Sequence, residues 1–477
     1  MTDETMFAEL REKITVQVGP PTFPGEKNQK PTLNQLFFAK LAVEVYGPIY
    51  EKTEEAFYIY SPSTGLWEIQ SRSTMLERVG DLMRRYAAAT GDTFVDSKRD
   101  ASTIRHILDF MKSDGCCGRE NAFERTGAPF LHCGNGVLVF NELPEGHFKP
   151  VLMPFDPKYM SRNRTEIDYR EDAVCDEFLS RLLEPALSAD DIDHLQQYVG
   201  QCLLGVNSSQ TFLMLIGTPG GGKSTLVNII EKIINRKNCT ELRLGHMTSR
   251  FETQRLLGKT LLTAKDVRSN FLNTRGAHML KVLTGKDTVT IEHKGSNDTA
   301  DICCTFNAII TANNTLRVAV DGDTDAWRRR IILIDYKNPP PKEKIPDFDD
   351  YLLEREGEGI LRWAVEGALL LLENGGKIKK SEEQEHKINN LLQESDPLTD
   401  FIHMGLAPDG DATVTTAELV EAFYAFCKER SWAVLSERDI QNRLPDYIYQ
   451  TFGLSKRTDI LREGKNRRGY RGLRLQA

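Results

Sequence analysis

The chain has 477 residues, 40% hydrophobic and 27% charged, with a formal net charge of −8. That length exceeds one ordinary core, and the composition is that of a soluble globular protein of two or three domains. An acidic balance excludes a protein that coats nucleic acid with its whole surface, although a chain this long can still segregate a local basic channel.

No apolar run approaches the roughly 20 residues needed to cross a bilayer. The start, MTDETMFAELREK, is polar and acidic, unlike a secretory signal or an Arg-rich transit peptide. A cytoplasmic protein, in a bacterium or a host cell, with no membrane partner is expected. Nine cysteines without a C-x-x-C and nine scattered histidines point to reduced thiols and no zinc site. His132-Cys133 reads as part of a buried turn.

Residues 1–30, with VGPPTFPGEKNQKP, read as a flexible arm. Residues 31–200 read as an α+β accessory or assembly domain. It opens with the helical LNQLFFAKLAVEVYG, followed by AFYIY and GLWEIQ joined by SPSTG as a β-hairpin. Helices around Thr74–Ala88 and Ala101–Lys112 come next, then the short strands of FLHCGNGVLVFNELPEGHFKPVLM. Ser188 is placed to cap ALSADDIDHLQQYVGQCLLG.

Residues 201–378 alternate strands and helices, as a parallel α/β sheet requires. Residues 379–395 read as a polar linker. Residues 396–477 combine capped helices, Thr415-x-x-Glu418 before one and Ser436 before another, with a basic β-like tail. That pattern suggests a winged-helix-like module.

The stretch LMLIGTPGGGKSTLVNII contains Gly217-x-x-x-x-Gly222-Lys223-Ser224 between an apolar strand and an amphipathic helix. Gly217, Gly220, Gly221 and Gly222, with Thr218 and Pro219 between them, let backbone amides turn around phosphates without Cβ clashes. Lys223 supplies a positive charge to the β- and γ-phosphates. Ser224 offers its hydroxyl to Mg²⁺, and Thr225 continues the helix N-terminus that favours the anion. ATP and Mg²⁺ are the expected ligands.

A phosphate-hydrolysing site also needs a carboxylate at the end of a neighbouring strand. Asp266 ends GKTLLTAKDV and fits, although Lys265 stands where many ATPases have a second acid. The division between holding metal and activating water therefore stays open. Asn313, at the end of NAIITANN, is placed to meet the γ-phosphate or the attacking water. Three arginines precede IILIDY, and a guanidinium from a neighbouring subunit would stabilise the transition state. Of the three, Arg329 and then Arg328 are preferred.

In this order the residues resemble a superfamily 3 helicase, more closely the helicase part of poxvirus-type and satellite-phage or plasmid primase-helicases. The matching elements are the phosphate loop, Asp266, LKVLTGKDTVTIEHKGSN, Asn313 and WRRRIILIDY, with CGNGVLVF before and LEREGEGILRWAVEGA after. The resemblance spans roughly residues 130–375. It implies an AAA+-like ring, a homohexamer, that hydrolyses ATP to move along single-stranded DNA, typically 3′ to 5′, in phage, viral or mobile-element replication. It also places basic residues at the tip of a pore hairpin. Here DTVTIEHKGSNDTADICCTF reads as that hairpin, with His293 and Lys294 at its tip and Lys281 at a further basic position.

Two positions depart from the family: Lys265 for an acid, and Leu316 where a proline is frequent. No polymerase-like acidic set precedes the motor, so primer synthesis would fall to a separate primase. In the tail, Arg467, Arg468, Arg471 and Arg474 flank Tyr470, an arrangement suited to phosphates and base stacking on duplex or fork DNA. The alternative is an AAA+ NTPase acting as a loader, assembly switch or defence protein without unwinding.

Overall fold

The structure, a computed structural model, describes residues 2–25, 30–115, 117–123, 127–247, 249, 252–274, 276–292, 299–318, 324–337, 345–430, 432 and 435–476. It divides into two units. One comprises Met1–Ala128, His132–Val139 and Leu152–Arg164; the other comprises Pro129–Leu131, Phe140–Val151 and Thr165–Ala477. Among the described residues no helix is long and apolar enough to cross a membrane.

The first unit is α+β. Its opening residues are not a loose arm: Asp3–Val18 is a helix, capped by the Thr2 side chain accepting from the Thr5 amide. Phe7 and Ile14 lie two turns apart on one face and are fully buried. The Pro-Gly punctuation begins only at Gly19, whose φ of 86° ends the helix. Tyr86, from the helix Arg72–Thr90, packs edge-on against Phe7, Phe37 and Phe38 at 5.5, 5.8 and 5.3 Å. Such ring pairs add about 0.5–1.5 kcal/mol each beyond the area they bury. The expected hairpin forms between Ala56–Ser61 and Leu66–Gln70, with Ser61 opposite Leu66 and Phe57 opposite Gln70.

The second unit is built on a five-stranded parallel sheet. Its order is Cys239–Glu241, Leu261–Val267, Asn307–Ala312, Phe212–Gly217 and Ile331–Tyr336. Leu213, Met214 and Leu215 are wholly buried, as an interior parallel strand demands. The loop-bearing strand thus lies between the asparagine strand Asn307–Ala312 and the edge strand Ile331–Tyr336. All the strands point the same way, so their C-terminal ends gather at one edge, where α/β sheets bind ligands. This is the AAA+-like P-loop core expected from the sequence.

The helix Ala189–Leu204, assigned from the sequence to the N-terminal region, belongs to this unit and packs on Phe348–Glu373. The two helices meet backbone to backbone. A Cβ on Gly200 would lie 2.2 Å from the Ala368 amide nitrogen, and one on Gly367 would lie 2.0 Å from the Gln196 carbonyl oxygen.

Residues 379–395 are not a linker. They contain the helix Glu382–Glu394, whose Ile388, Leu391 and Leu392 enter the hydrophobic core of the ATPase sheet. Its Gln384 is fully buried. The side-chain amide accepts from the Leu333 amide at 3.1 Å and donates to the Leu333 carbonyl at 2.6 Å.

The C-terminal module orders Pro397–Gly405, Leu406–Thr415, Thr416–Glu429, Glu437–Phe452, Arg457–Arg462 and Lys465–Leu475, a winged-helix arrangement. Its sheet places Lys465–Leu475 between the other two strands. The Thr415/Glu418 capping box is complete, and Ser436 caps the next helix through the Asp439 amide. The wing turns through Glu463 and Gly464, both at positive φ (49° and 73°), the backbone a two-residue type I′ hairpin requires.

Candidate nucleotide site

Gly217 ends its strand so close to the edge strand that a Cβ would lie 1.9 Å from the Tyr336 carbonyl oxygen. Gly220 (φ 77°) and Gly222 (φ 104°) then carry the chain through conformations closed to most side chains. Lys223 opens the helix Lys223–Ile234 and is buried. Its ammonium donates to the carbonyls of Gly217 and Thr218 at 2.7 and 2.8 Å and to Asn313 Oδ1 at 3.1 Å. Burial lowers its pKa, and the Asp266 carboxylate opposes that shift.

Asn313 in turn donates from Nδ2 to Asp266 Oδ1. Asp266 leaves the regular strand geometry: its φ is 54°, the pairing register shifts beside it, and its amide donates to Thr311 Oγ1 at 2.9 Å. A non-glycine residue held in that region costs about 1–3 kcal/mol and persists where its surroundings over-determine it. Lys223, Asn313 and Asp266 come from three elements and form one continuous hydrogen-bonded chain.

These groups line a cavity of about 470 Å³ together with Pro219 through Thr225 and Thr311. Ser224 and Asp266 therefore present one hydroxyl and one carboxylate to the same space. That small oxygen set fits Mg²⁺, which keeps several waters and takes few protein ligands. No cluster of three His, Cys, Asp or Glu able to hold a metal occurs among the described residues.

Lys265 is not part of this cavity. Strand alternation turns it, with Thr263, toward the loop-following helix. There Glu231 accepts from Lys265 at 2.8 Å and from Thr263 at 2.7 Å. The residue that departs from the two-acid pattern is thus an ion-pair partner on the back of the strand.

The far end of the cavity was not foreseen. Arg181 and Leu182 come from a π-helical turn, Phe178–Leu183, and face Ile345 and Phe348. The Arg181 guanidinium lies 5.1 Å from the Phe348 ring centre and pairs with Glu177 at 2.6 Å. Tyr336 Oη donates to the Leu182 carbonyl at 3.1 Å, tying the turn to the end of the edge strand. Single-turn π segments recur at functional sites, but no spacing in FLSRLL announces one. The contact is purely tertiary.

The three arginines differ sharply. Arg330 is buried, and its Nη1 donates to the Ala326 carbonyl. Arg328 donates to Asn389 Oδ1 at 2.8 Å and to Asp325 at 2.5 Å. Arg329 is exposed and has no partner among the described residues. All three lie on the short helix Thr324–Arg330, anchored by the buried Trp327, which meets Phe212 edge-on at 6.1 Å.

Of the expected DNA contacts, His293 and Lys294 lie outside the described residues. The strands that would carry them, Thr288–Glu292 and Thr299–Cys303, pair antiparallel. Lys281, half-buried, places its ammonium 5.1 Å from the centre of the buried Trp327 ring.

In the tail, Arg467 and Arg468 are exposed, while Arg471 pairs with Asp459 at 2.9 Å and Arg474 with Asp409 at 3.6 Å. Tyr470 corrects the expectation of base stacking: it is 1% exposed and sits in the module's hydrophobic core. Burial pushes its hydroxyl up to about 12. Strand alternation was the missed signal, because a lone aromatic among arginines faces inward.

Two family models match parts of the chain. Residues 39–187 match "D5 N terminal like", and residues 215–330 match a family of unknown function, DUF5906. The second span encloses the glycine loop, Asp266, Asn313 and the arginine helix. Among solved structures, the apo structure of the NrS-1 C terminal region (305-718) is 13% identical, covers 93% of this chain and 99% of its own, and has a TM-score of 0.49. The A form apo structure of the same region is 13% identical, covers 92% and 100%, and has a TM-score of 0.48.

Proposed function

We propose that this chain is an ATP-driven motor acting on DNA in phage, viral or mobile-element replication, working as a homohexameric ring of the superfamily 3 type. One observation carries the nucleotide half of the reading. Lys223, Asn313 and Asp266 converge in the cavity that the glycine loop and Ser224 line. The D5 N-terminal-like match over residues 39–187 supports the class of protein.

ATP is the substrate, its triphosphate held by the loop amides. Lys223 exchanges the carbonyls of Gly217 and Thr218 for phosphate oxygens. Asn313, released from Lys223, orients the attacking water beside Asp266. Ser224 and Asp266 would hold Mg²⁺, which would neutralise phosphate charge there. Arg181, Leu182 and Phe348 receive the nucleobase end. Arg329, exposed and without a partner among the described residues, serves the adjacent subunit's site, and Lys294 tracks the strand through sequence-independent phosphate contacts. Arg467 and Arg468 on the wing meet the duplex ahead of the ring.

The test is the ATPase rate with and without single-stranded DNA, read beside particle symmetry by electron microscopy. DNA-stimulated hydrolysis by a six-fold ring is expected. A monomer indifferent to DNA would sink the motor reading. Lys294→Ala should abolish unwinding while nucleotide binding survives; unwinding that persists would remove Lys294 from the strand-tracking role, and a wild type that does not unwind favours a loader or assembly switch.

A further inference from the structure

The arginine helix is held from outside by the helix Glu382–Glu394 and the residues leading into it. Lys380 donates from its ammonium to the Arg328 carbonyl, and Asn389 accepts from Arg328 Nε at 2.8 Å. The clamp itself is rigidly seated. Ser381 caps it through the Gln384 amide and donates to Asp190 at 2.8 Å, while Gln384 is bonded to Leu333 on the edge strand. Elsewhere this side of the arginine helix is open: a cavity of about 530 Å³ lies between Thr324, Arg328, Asn389, Gln393 and Arg443. Asn389 and Arg328 meet at the rim of that cavity, while Lys380 holds the Arg328 carbonyl from a more buried position.

We infer that Lys380 is a positioning residue for Arg329: by holding the carbonyl of the preceding residue it fixes the direction in which the Arg329 side chain leaves the helix. The inference rests on the proposed trans role of Arg329. A carbonyl bonded to a charged ammonium is held about twice as strongly as by a neutral donor. Burial lowers the Lys380 pKa to about 8, with Glu385 opposing the shift and Arg328 adding to it. Among the described residues those two are the charged groups acting on it, Glu385 from the helix that follows it and Arg328 from the arginine helix. On the helix Ala189–Leu204, Asp190 and His194 contact its neighbours Ser381 and Lys379. The grip is thus full below about pH 8 and weakens as pH rises through that value.

The experiment is steady-state ATPase of the full chain between pH 6.5 and 9.5 for wild type, Lys380→Met, Lys380→Arg and Arg329→Ala, with circular dichroism as the folding control. The expected result for Lys380→Met is a kcat lower by roughly 10- to 100-fold with KM for ATP unchanged. Lys380→Arg should retain kcat and carry it to higher pH than wild type. Arg329→Ala should lose about 10³-fold or more and lack any alkaline fall near 8.

Wild-type kcat and pH profile in Lys380→Met would overturn the inference while leaving the trans arginine intact. Wild-type kcat in Arg329→Ala would overturn both. If Lys380→Met does not fold, the comparison of wild type with Arg329→Ala decides: the same alkaline fall in both refutes a role for Lys380 through Arg329.

Discussion

Replacing Asn313 with alanine separates a catalytic bridge from a structural one. The amide makes two hydrogen bonds to charged partners, Lys223 at 3.1 Å and the Asp266 carboxylate. Bonds of that kind contribute about 1.5–3 kcal/mol each when both groups are buried. Here neither loss is complete. Asp266 is exposed and regains water, while Lys223 keeps the Gly217 and Thr218 carbonyls. The fold should therefore lose no more than about 1 kcal/mol, read as a shift in the urea midpoint. Catalysis should suffer far more, because a group that orients the reacting water is used mainly in the transition state. A fall in kcat of about 10²–10³-fold is expected, equivalent to about 3–4 kcal/mol, with KM for ATP within about 3-fold of wild type. Asn313→Asp supplies the control: it keeps the shape but places a second carboxylate beside Asp266. Like charges that close raise one apparent pKa, so residual activity should acquire a new dependence on pH above the usual carboxylate range. An Asn313→Ala enzyme with kcat within about 3-fold of wild type would refute the assignment.

Three further outcomes follow from the same geometry. Gly200→Ala sets a methyl group against the backbone at Ala368 and should cost about 1–3 kcal/mol by overpacking, measured by thermal melting. Arg467→Ala with Arg468→Ala should lower the slope of log K against log salt for duplex DNA by about 2, whereas Tyr470→Phe should leave binding unchanged; an unaltered slope in the double variant would remove the wing from the interface. Arg181→Ala and Phe348→Ala should each raise KM for ATP by about 10-fold with kcat nearly kept, and an unchanged KM would place the nucleobase elsewhere.

The parts of the site legible in the sequence are those whose chemistry is written in local spacing. A glycine loop must sit between strand and helix, so Gly217 to Ser224 could be placed without a fold. Asp266 and Asn313 followed because each ends an apolar strand, and parallel strands bring their ends to one edge. The hairpin at Ala56–Gln70 and the caps Ser188, Thr415 and Ser436 rest on equally short-range rules.

What escaped depends on contacts between distant segments. Arg181 reaches the cavity only because a π turn is tied to Tyr336, more than 150 residues later. The opening helix was hidden because its buried face, Phe7 and Ile14, gains meaning only against the core around Tyr86. Residues 379–395 looked polar enough to be a linker because their apolar face is narrow, and the decisive residue, Gln384, is polar and buried. Choosing among Arg328, Arg329 and Arg330 also needed the structure, since three identical side chains in a row carry no internal distinction.

The amide of Gln384 protects the edge of the sheet. By donating to and accepting from Leu333 it imitates one residue of a sixth strand, and its helix closes the outer margin of the sheet. An unprotected margin would be a template for another chain's backbone. With this one capped, another chain's backbone cannot join there by extending the sheet. Displacing the capping helix, by heat or by Gln384→Ala, should instead expose the margin and promote aggregation.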